Sequence, residues 1–193
     1  MNDAVLLGID GGGSKTVALV SAADGRVLGR GSAGASNYHS VGMEPACAAL
    51  EQAVGAAFMA AGMTLAMPAA VGIGLAGVDR SDDQARFVAW AARLWPNTPV
   101  AIVNDAELVL AAGTPDGWGI ALICGTGSIA VGRDRDGQVT RAGGWGHLLG
   151  DEGSGYAIGL AALRAAARAA DGRGAATRLT ATILEYWSLP NAT

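Results

Sequence analysis

An α/β fold laid down twice on one plan is what this sequence predicts, and three observations carry it. Short apolar runs alternate with alanine-rich segments long enough for helices. A strand, a glycine turn and two further strands near residue 10 recur near residue 125. Of the 193 residues 51% are hydrophobic and 16% charged, so the chain forms a core and is not disordered.

The elements follow in order. Residues 4–10, AVLLGID, read as a strand, and GGGSK as a turn. TVALVSA (16–22) is a second strand, and RVLGRGSAG (26–34) a third after the turn signal Asp24-Gly25. Met43 to Gly62 predicts a helix that Gly62 caps. AAVGIGLAG (69–77) reads as a buried strand. Ser81 is the predicted N-cap of a helix running to about Trp95, with Asp82 and Asp83 where the helix dipole favours acids. Pro96 and Pro99 end it. VAIVN (100–104) is the next buried strand, and DAELVLAA (105–112) a short helix. After GTPDG the plan restarts with WGIALIC (118–124) as a buried strand, GTGSIAVGRD (125–134), a turn at Asp136-Gly137, and QVTRAGG (138–144). Helices are predicted over 153–170 and 174–187. This divides the chain into a first domain over 1–114 and the first part of a second over 115–193.

Bulk properties exclude several classes. The net charge is −4 with no basic cluster, which argues against a nucleic-acid surface. No run of about 18 apolar residues appears, and the N-terminus has no charged segment leading into an apolar one. Cys47 and Cys124 lie far apart and make no metal spacing, which fits a reducing compartment. These features predict a cytoplasmic protein that engages neither membrane nor nucleic acid.

The chain's only lysine, Lys15, sits in LLGIDGGGSKTVALV (6–20). Gly8 to Gly13 approaches a P-loop, but the lysine comes one residue late and a strand follows where a helix is required. Phosphate chemistry still fits. A turn of small residues at Gly12 and Gly13 offers backbone N–H groups to an anion. Ser14 and Thr16 add hydroxyls, and Lys15 adds charge. Asp10, ending an apolar strand, would repel phosphate unless a cation lay between them, which makes it a candidate for holding Mg²⁺. The bland alternative is a type I′ hairpin turn with an exposed lysine. Gly125-Thr126-Gly127-Ser128 follows a strand in the same topological position, and two such turns can clamp one polyphosphate.

GIGLAG (72–77) matches G-x-G-x-x-G but lacks the acid expected some 20 residues on; its glycines read instead as permitting close approach. Asp105 stands just past a strand, where open α/β sheets bind ligands. It is a candidate catalytic carboxylate, with a helix N-cap as the alternative. Glu107, inside the helix, reads as solvated. In AGGWGHLLGDEGSGYAIG (142–159), glycines surround Trp145, His147, Asp151 and Glu152. His147 is a base or a structural hydrogen-bonder. Asp151 and Glu152 are capping acids or ligands for sugar hydroxyls. A metal site from His147, Asp151 and Glu152 is a further alternative, but its spacing matches no known pattern.

GIDGGGSKT, Asn37 in GASNYHSVG, GIGLAG, VNDA, LICGTGS and GGWGHLLGDEGSGY occur together and in this order. Over residues 4–187 the chain resembles the BadF/BadG/BcrA/BcrD ATPase family, within the acetate and sugar kinase, Hsc70 and actin superfamily, and there the N-acetylglucosamine kinases. The resemblance implies duplicated ribonuclease H-like (actin-like ATPase) domains, the first complete and the second truncated. It implies an ATP-dependent sugar kinase working with Mg²⁺. By it, Asp10, Gly12, Gly13, Ser14, Lys15 and Thr16 form the first phosphate turn, with Asp10 at the metal and Lys15 assisting. Gly125, Thr126, Gly127 and Ser128 form the second. Asp105 is the general base for the 6-hydroxyl of N-acetylglucosamine, or alternatively of glucosamine. Asn37, Asp105, Thr126, Gly144, Trp145 and Asp151 hold the sugar. Ala76 stands where mammalian enzymes of this type carry serine, which loosens the identity of the sugar. Relatives continue further, so this chain alone is expected to bind ATP poorly. A homodimer is a further expectation.

Two other functions would leave different marks on the sequence. An activator ATPase of this family would hold an iron–sulfur cluster between subunits through paired cysteines. Cys47, in a helix, and Cys124, in a buried strand, are not placed for that. A non-catalytic sugar sensor would need neither Asp10 nor Asp105.

Overall fold

The protein is described by a computed structural model covering residues 4–78, 80–114 and 116–192. Its first five strands form one sheet: β1 (Val5–Gly11), β2 (Thr16–Ala22), β3 (Val27–Ala33), β4 (Ala70–Leu75) and β5 (Val100–Asn104). They lie in the order β3-β2-β1-β4-β5. The hairpin partners β1–β2 and β2–β3 are antiparallel, whereas β1–β4 and β4–β5 are parallel. Parallel neighbours need long crossovers. Helices α1 (Tyr38–Val41) and α2 (Met43–Ala60) bridge β3 to β4, and α3 (Ser81–Leu94) bridges β4 to β5.

Period-two burial sets the register. Val5, Leu7 and Ile9 of β1 are buried, while Gly8 and Asp10 between and beyond them are open. Ile9 pairs with Ala18 and with Ile73, so one face of the central strands is continuously apolar. That face joins Leu50, Ala53, Ala57 and Phe58 of α2 and Phe87 and Trp90 of α3 in one core. Helix α2 lies unusually close to β3. A Cβ at Gly29 would stand 2.2 Å from Ala57 O, and one at Gly31 2.1 Å from Ala53 O. The alanine richness of α2 and these glycines are two halves of one contact.

Helix α2 ends as predicted. Gly62 takes a left-handed φ of 68°, donating to Met59 O at 3.0 Å, while Met63 N donates to Phe58 O at 3.0 Å. These are the paired bonds of a Schellman motif. Helix α3 departs from expectation at its start. Arg80, not Ser81, is the N-cap, and no side chain caps the helix. Asp82 and Asp83 do occupy the first turn. Asp83 is also buried, where it accepts the Tyr38 hydroxyl. Desolvation, reinforced by this bond, raises the Tyr38 phenol above its ordinary range. Tyr38, Phe87, Trp90 and Trp95 then pack edge to face in succession, with centroids 5.8, 6.3 and 5.7 Å apart.

Helix α4 (Asp105–Gly113) follows β5, and a separate three-stranded sheet of order β6-β7-β8 comes next, from β6 (Gly119–Cys124), β7 (Ser128–Arg133) and β8 (Val139–Gly143). Helices α5 (Gly155–Ala170) and α6 (Leu179–Tyr186) complete the described chain. The described residues cluster into two compact units, one running to Ala121 and including Val131–Thr140, the other comprising Leu122–Ala130 and the residues from Arg141 onward. The expected seam at 114/115 adjoins Pro115, which lies outside the described residues.

Strand β5 reads as buried in the sequence, but none of its residues is buried and Ala101 is exposed, because β5 lies at the edge of its sheet. Two further expectations need correction. The strand at 118–124 is open on one face: Ile120 is 82% and Leu122 69% exposed, and Cys124 is exposed as well. Its apolar composition reported strand, not burial. The last helix begins at Leu179 and not at 174, because Gly174 N turns back to Arg168 O at 2.8 Å and Thr177 Oγ1 accepts from Leu179 N at 3.2 Å. No helix among the described residues is long and apolar enough to cross a membrane.

Candidate functional site

Gly11, Leu75 and Asn104 are aligned partners at the carboxyl ends of the parallel strands β1, β4 and β5. Ligands of open α/β sheets bind outside such ends. Three of the predicted residues lie there: Asp10 next to the end of β1, Asp105 directly after β5, and Asn37, whose N–H donates to Gly12 O at 3.2 Å.

Gly12 N donates to Lys15 O at 2.9 Å and closes the turn over Gly12, Gly13, Ser14 and Lys15. Ser14, a central residue of this turn, takes no positive φ. The turn is therefore not type I′, which needs positive φ at both central residues. Gly11 is required instead by packing: a Cβ would meet Ser36 Oγ at 2.5 Å and Leu75 Cδ2 at 2.6 Å. Thr16 is fully buried behind the turn, its Oγ1 2.8 Å from both Gly34 O and Ser36 Oγ. Its hydroxyl is thus committed to the fold. Ser36, which sequence reasoning missed beside Asn37, ties this corner together, since its N–H also donates to Gly12 O at 3.0 Å.

Partial loss of water raises the Asp10 carboxyl above the ordinary carboxylate range, and the Lys15 charge pulls it partly back. A single carboxylate beside a turn of small residues suits Mg²⁺, which is commonly held by one or two carboxylates together with phosphate oxygens. No cluster of three or more His, Cys, Asp or Glu side chains able to hold a metal occurs among the described residues, so His147, Asp151 and Glu152 do not converge on one.

Asn37 caps α1, its Oδ1 accepting His39 N at 3.1 Å. His39 Nε2 lies 3.0 Å from Gly77 O, so that nitrogen carries the proton. Ala76 N in turn donates to Gly11 O at 2.8 Å. The GIGLAG turn, Asn37 and the glycine turn are thus knitted into one corner. Asp105 opens α4 and is half-buried, but the cap is Asn104, whose Oδ1 accepts Ala106 N at 2.9 Å. Asp105 Oδ1 lies 3.0 Å from the same N–H. Glu107 is not solvated as predicted; it is ion-paired with Arg133, both about a quarter exposed.

The second unit holds the other predicted residues. Gly125 N donates to Gly127 O at 2.9 Å within the GTGS turn. Asp151 is buried, with a left-handed φ of 64°, and its Oδ1 accepts Ser128 N at 3.1 Å. Ser128 Oγ donates to Glu152 O at 2.9 Å, and Gly144 N donates to Ser128 O at 3.0 Å. Gly155 N reaches Gly125 O at 2.8 Å, and Ser154 caps α5 by accepting Ala157 N at 3.1 Å. Thr126 lies in the GTGS turn between these bonds. Gly144 needs its left-handed φ of 70° and the absence of a Cβ, which would meet Ile129 Cδ1 at 2.8 Å. Trp145 is 65% exposed, with the Arg141 guanidinium 5.2 Å from its ring centre. His147 packs on Tyr156 at 4.7 Å between centroids. Both cysteines are free; burial, then the Glu51 charge, pushes the Cys47 thiol up.

A sequence profile of the BadF/BadG/BcrA/BcrD ATPase family matches residues 7–188. The chain is 41% identical over 184 residues to the N-acetylmuramic acid/N-acetylglucosamine kinase of Clostridium acetobutylicum, covering 95% of this chain and 60% of that protein. It is 38% identical over 198 residues to the N-acetyl-D-glucosamine kinase of Dictyostelium discoideum, covering 98% of this chain and 62% of that one. A solved structure from Chromobacterium violaceum, provisionally named an N-acetylglucosamine kinase, superimposes with a TM-score of 0.78 at 32% identity, over 95% of this chain and 64% of the other. The chain thus spans about three-fifths of the length of the curated relatives it matches.

Proposed function

The chain belongs to the BadF/BadG/BcrA/BcrD ATPase family, and from that membership we propose that its protein phosphorylates an amino sugar, N-acetylglucosamine or alternatively glucosamine, at the 6-hydroxyl with ATP. The observation that carries this reading is the alignment of the β1, β4 and β5 ends, which sets Asp10, the glycine turn and Asp105 along one edge of a sheet. The names of the relatives supply the acceptor class.

In this reading Asp105 accepts the proton of the attacking hydroxyl as its oxygen bonds to the terminal phosphorus and the bond to ADP breaks. A positioned base of this kind contributes on the order of 10²–10⁴-fold. The turns over 12–15 and 125–128 receive the phosphates, with Lys15 adding charge; the N–H groups of Gly12, Gly125 and Ser128 are spent within the fold and shape the turns rather than bind the anion. Asp10 is the residue to hold Mg²⁺, which when bound with ATP neutralises phosphate charge. Asn37, Thr126, Gly144 and Trp145 orient the sugar, while Asp151, buried with its carboxylate on the GTGS turn, acts on it through that turn. We further propose that the two sheets descend from one duplicated actin-like domain, since β6-β7-β8 repeats the order of β1-β2-β3. A cytoplasmic homodimer completes the proposal.

The test is ADP release by the natural protein with N-acetylglucosamine, glucosamine, glucose or no sugar. Sugar-dependent release is expected. Asp105→Asn should lower kcat by about 10²–10⁴-fold with the melting temperature unchanged. Release that ignores the sugar, or that survives Asp105→Asn, would sink the proposal.

A further inference from the structure

Every polar group of Ser128 is spent on the stretch that follows it. Its N–H goes to Asp151 Oδ1, its Oγ to Glu152 O, and its carbonyl to Gly144 N. Two more bonds run alongside: Gly155 N to Gly125 O at 2.8 Å and the Cys124 thiol to Gly153 O at 3.4 Å. The acidic loop and the GTGS turn are therefore stitched along their length.

Asp151 is the strained member of this set. A non-glycine residue at φ 64° is uncommon, and it persists where its surroundings hold it. Here the holding contact is visible. The carboxylate lies against the turn so closely that a Cβ at Gly127 would stand 3.0 and 3.1 Å from its two oxygens. A buried acid turned toward a backbone N–H is a device for fixing a turn.

We propose that Asp151 is a positioning residue for the GTGS turn, and that through Ser128 it couples sugar binding at the 142–155 loop to nucleotide binding at the turn. This rests on the kinase reading above. Sugar that orders the loop orders the turn's N–H groups as well, so the nucleotide meets a turn already fixed. Such coupling is typically worth a 5- to 150-fold change in affinity, and it is reciprocal.

The experiment compares wild type with Asp151→Asn and Asp151→Gly. Asparagine tolerates the left-handed backbone and still presents an oxygen to Ser128 N–H. Glycine removes the acceptor while relieving the strain. Two quantities are read on the natural protein: amide exchange across 125–128, and the affinity for a non-hydrolysable ATP analogue with and without saturating N-acetylglucosamine. In wild type and Asp151→Asn the turn should stay protected and the sugar should tighten the analogue at least about fivefold. In Asp151→Gly exchange should speed at least about tenfold, and the effect of sugar should vanish.

Unchanged exchange in Asp151→Gly overturns the positioning role. Asp151→Asn behaving like Asp151→Gly overturns it too, because charge and not the acceptor would then be what matters. Sugar-dependent ADP release with an analogue affinity indifferent to sugar overturns the coupling alone. Indifference to sugar in both assays overturns the coupling and the kinase reading together, while the exchange measurement still decides whether Asp151 holds the turn.

Discussion

Asp10 is a carboxyl whose ionisation the fold opposes. Loss of water holds its carboxyl above the 3.8 of an unperturbed aspartate, and Lys15 only partly offsets this. Between the unfolded and folded values the folded state binds more protons, so stability falls as pH rises through that window and the deficit remains above it. Asp10→Asn should therefore raise the urea midpoint at neutral pH and lose that advantage below about pH 3.8. Urea titrations of both proteins from roughly pH 3 to pH 7 read the difference. Equal midpoints at neutral pH would mean that the carboxylate is fully hydrated. An acid kept at a cost at strand ends, where open α/β sheets bind ligands, supports the role proposed for Asp10. Asp10→Asn should then gain stability and lose nucleotide affinity together.

Helix α2 and strand β3 show what a glycine does at the scale of an element. Gly31→Ala drives a Cβ into Ala53 O and Ala57 N, both backbone atoms that cannot yield without moving the helix. It should cost about 1–3 kcal/mol, or more if the helix is displaced. Gly55→Ala, inside α2 with nothing within 4 Å of the new carbon, should instead stabilise by about 0.5–1 kcal/mol. Paired chemical denaturation curves test both, and two changes of the same sign would refute the packing account. The sequence made much of this legible, because strands β1 to β5, the stop at Gly62 and the acids in the first turn of α3 follow from local rules of period and capping. Less legible was whatever depends on a distant partner. The glycines at 11–13 look like a left-handed turn, yet Gly11 answers to Ser36 and Leu75. WGIALIC reads as buried because period cannot say what covers a strand. The candidate residues Asp10 and Asp105 were visible as strand-end positions, whereas Asn37 came only with the family resemblance. The commitments of Ser128 to residues 144–152 were not, because no periodicity announces them.

At the scale of the whole chain, burial is unevenly shared. The first unit owns the core of Leu7, Ile9, Leu50, Phe58, Ile73, Phe87 and Trp90. In the second, the buried residues among those described are Asp151, Ser154 and Ala166, and α6 buries none. Burial of large apolar side chains at about 1.5–3 kcal/mol each dominates resistance to opening, so the two units cannot be equally stable. The 193-residue chain should then depart from two-state unfolding. Hydrogen exchange should find the amides of β1, β4 and α2 slowest, and those of α5 and α6 faster by several orders of magnitude. Urea should release α5 and α6 before the Trp90 environment changes. A single transition shared by all probes, with equal protection in both units, would show that the second unit draws its stability from the first. Selective protection of 125–155 by the sugar would show that ligand supplies order the apolar core there does not, as expected of a region that Asp151 and Ser128 hold mainly through hydrogen bonds.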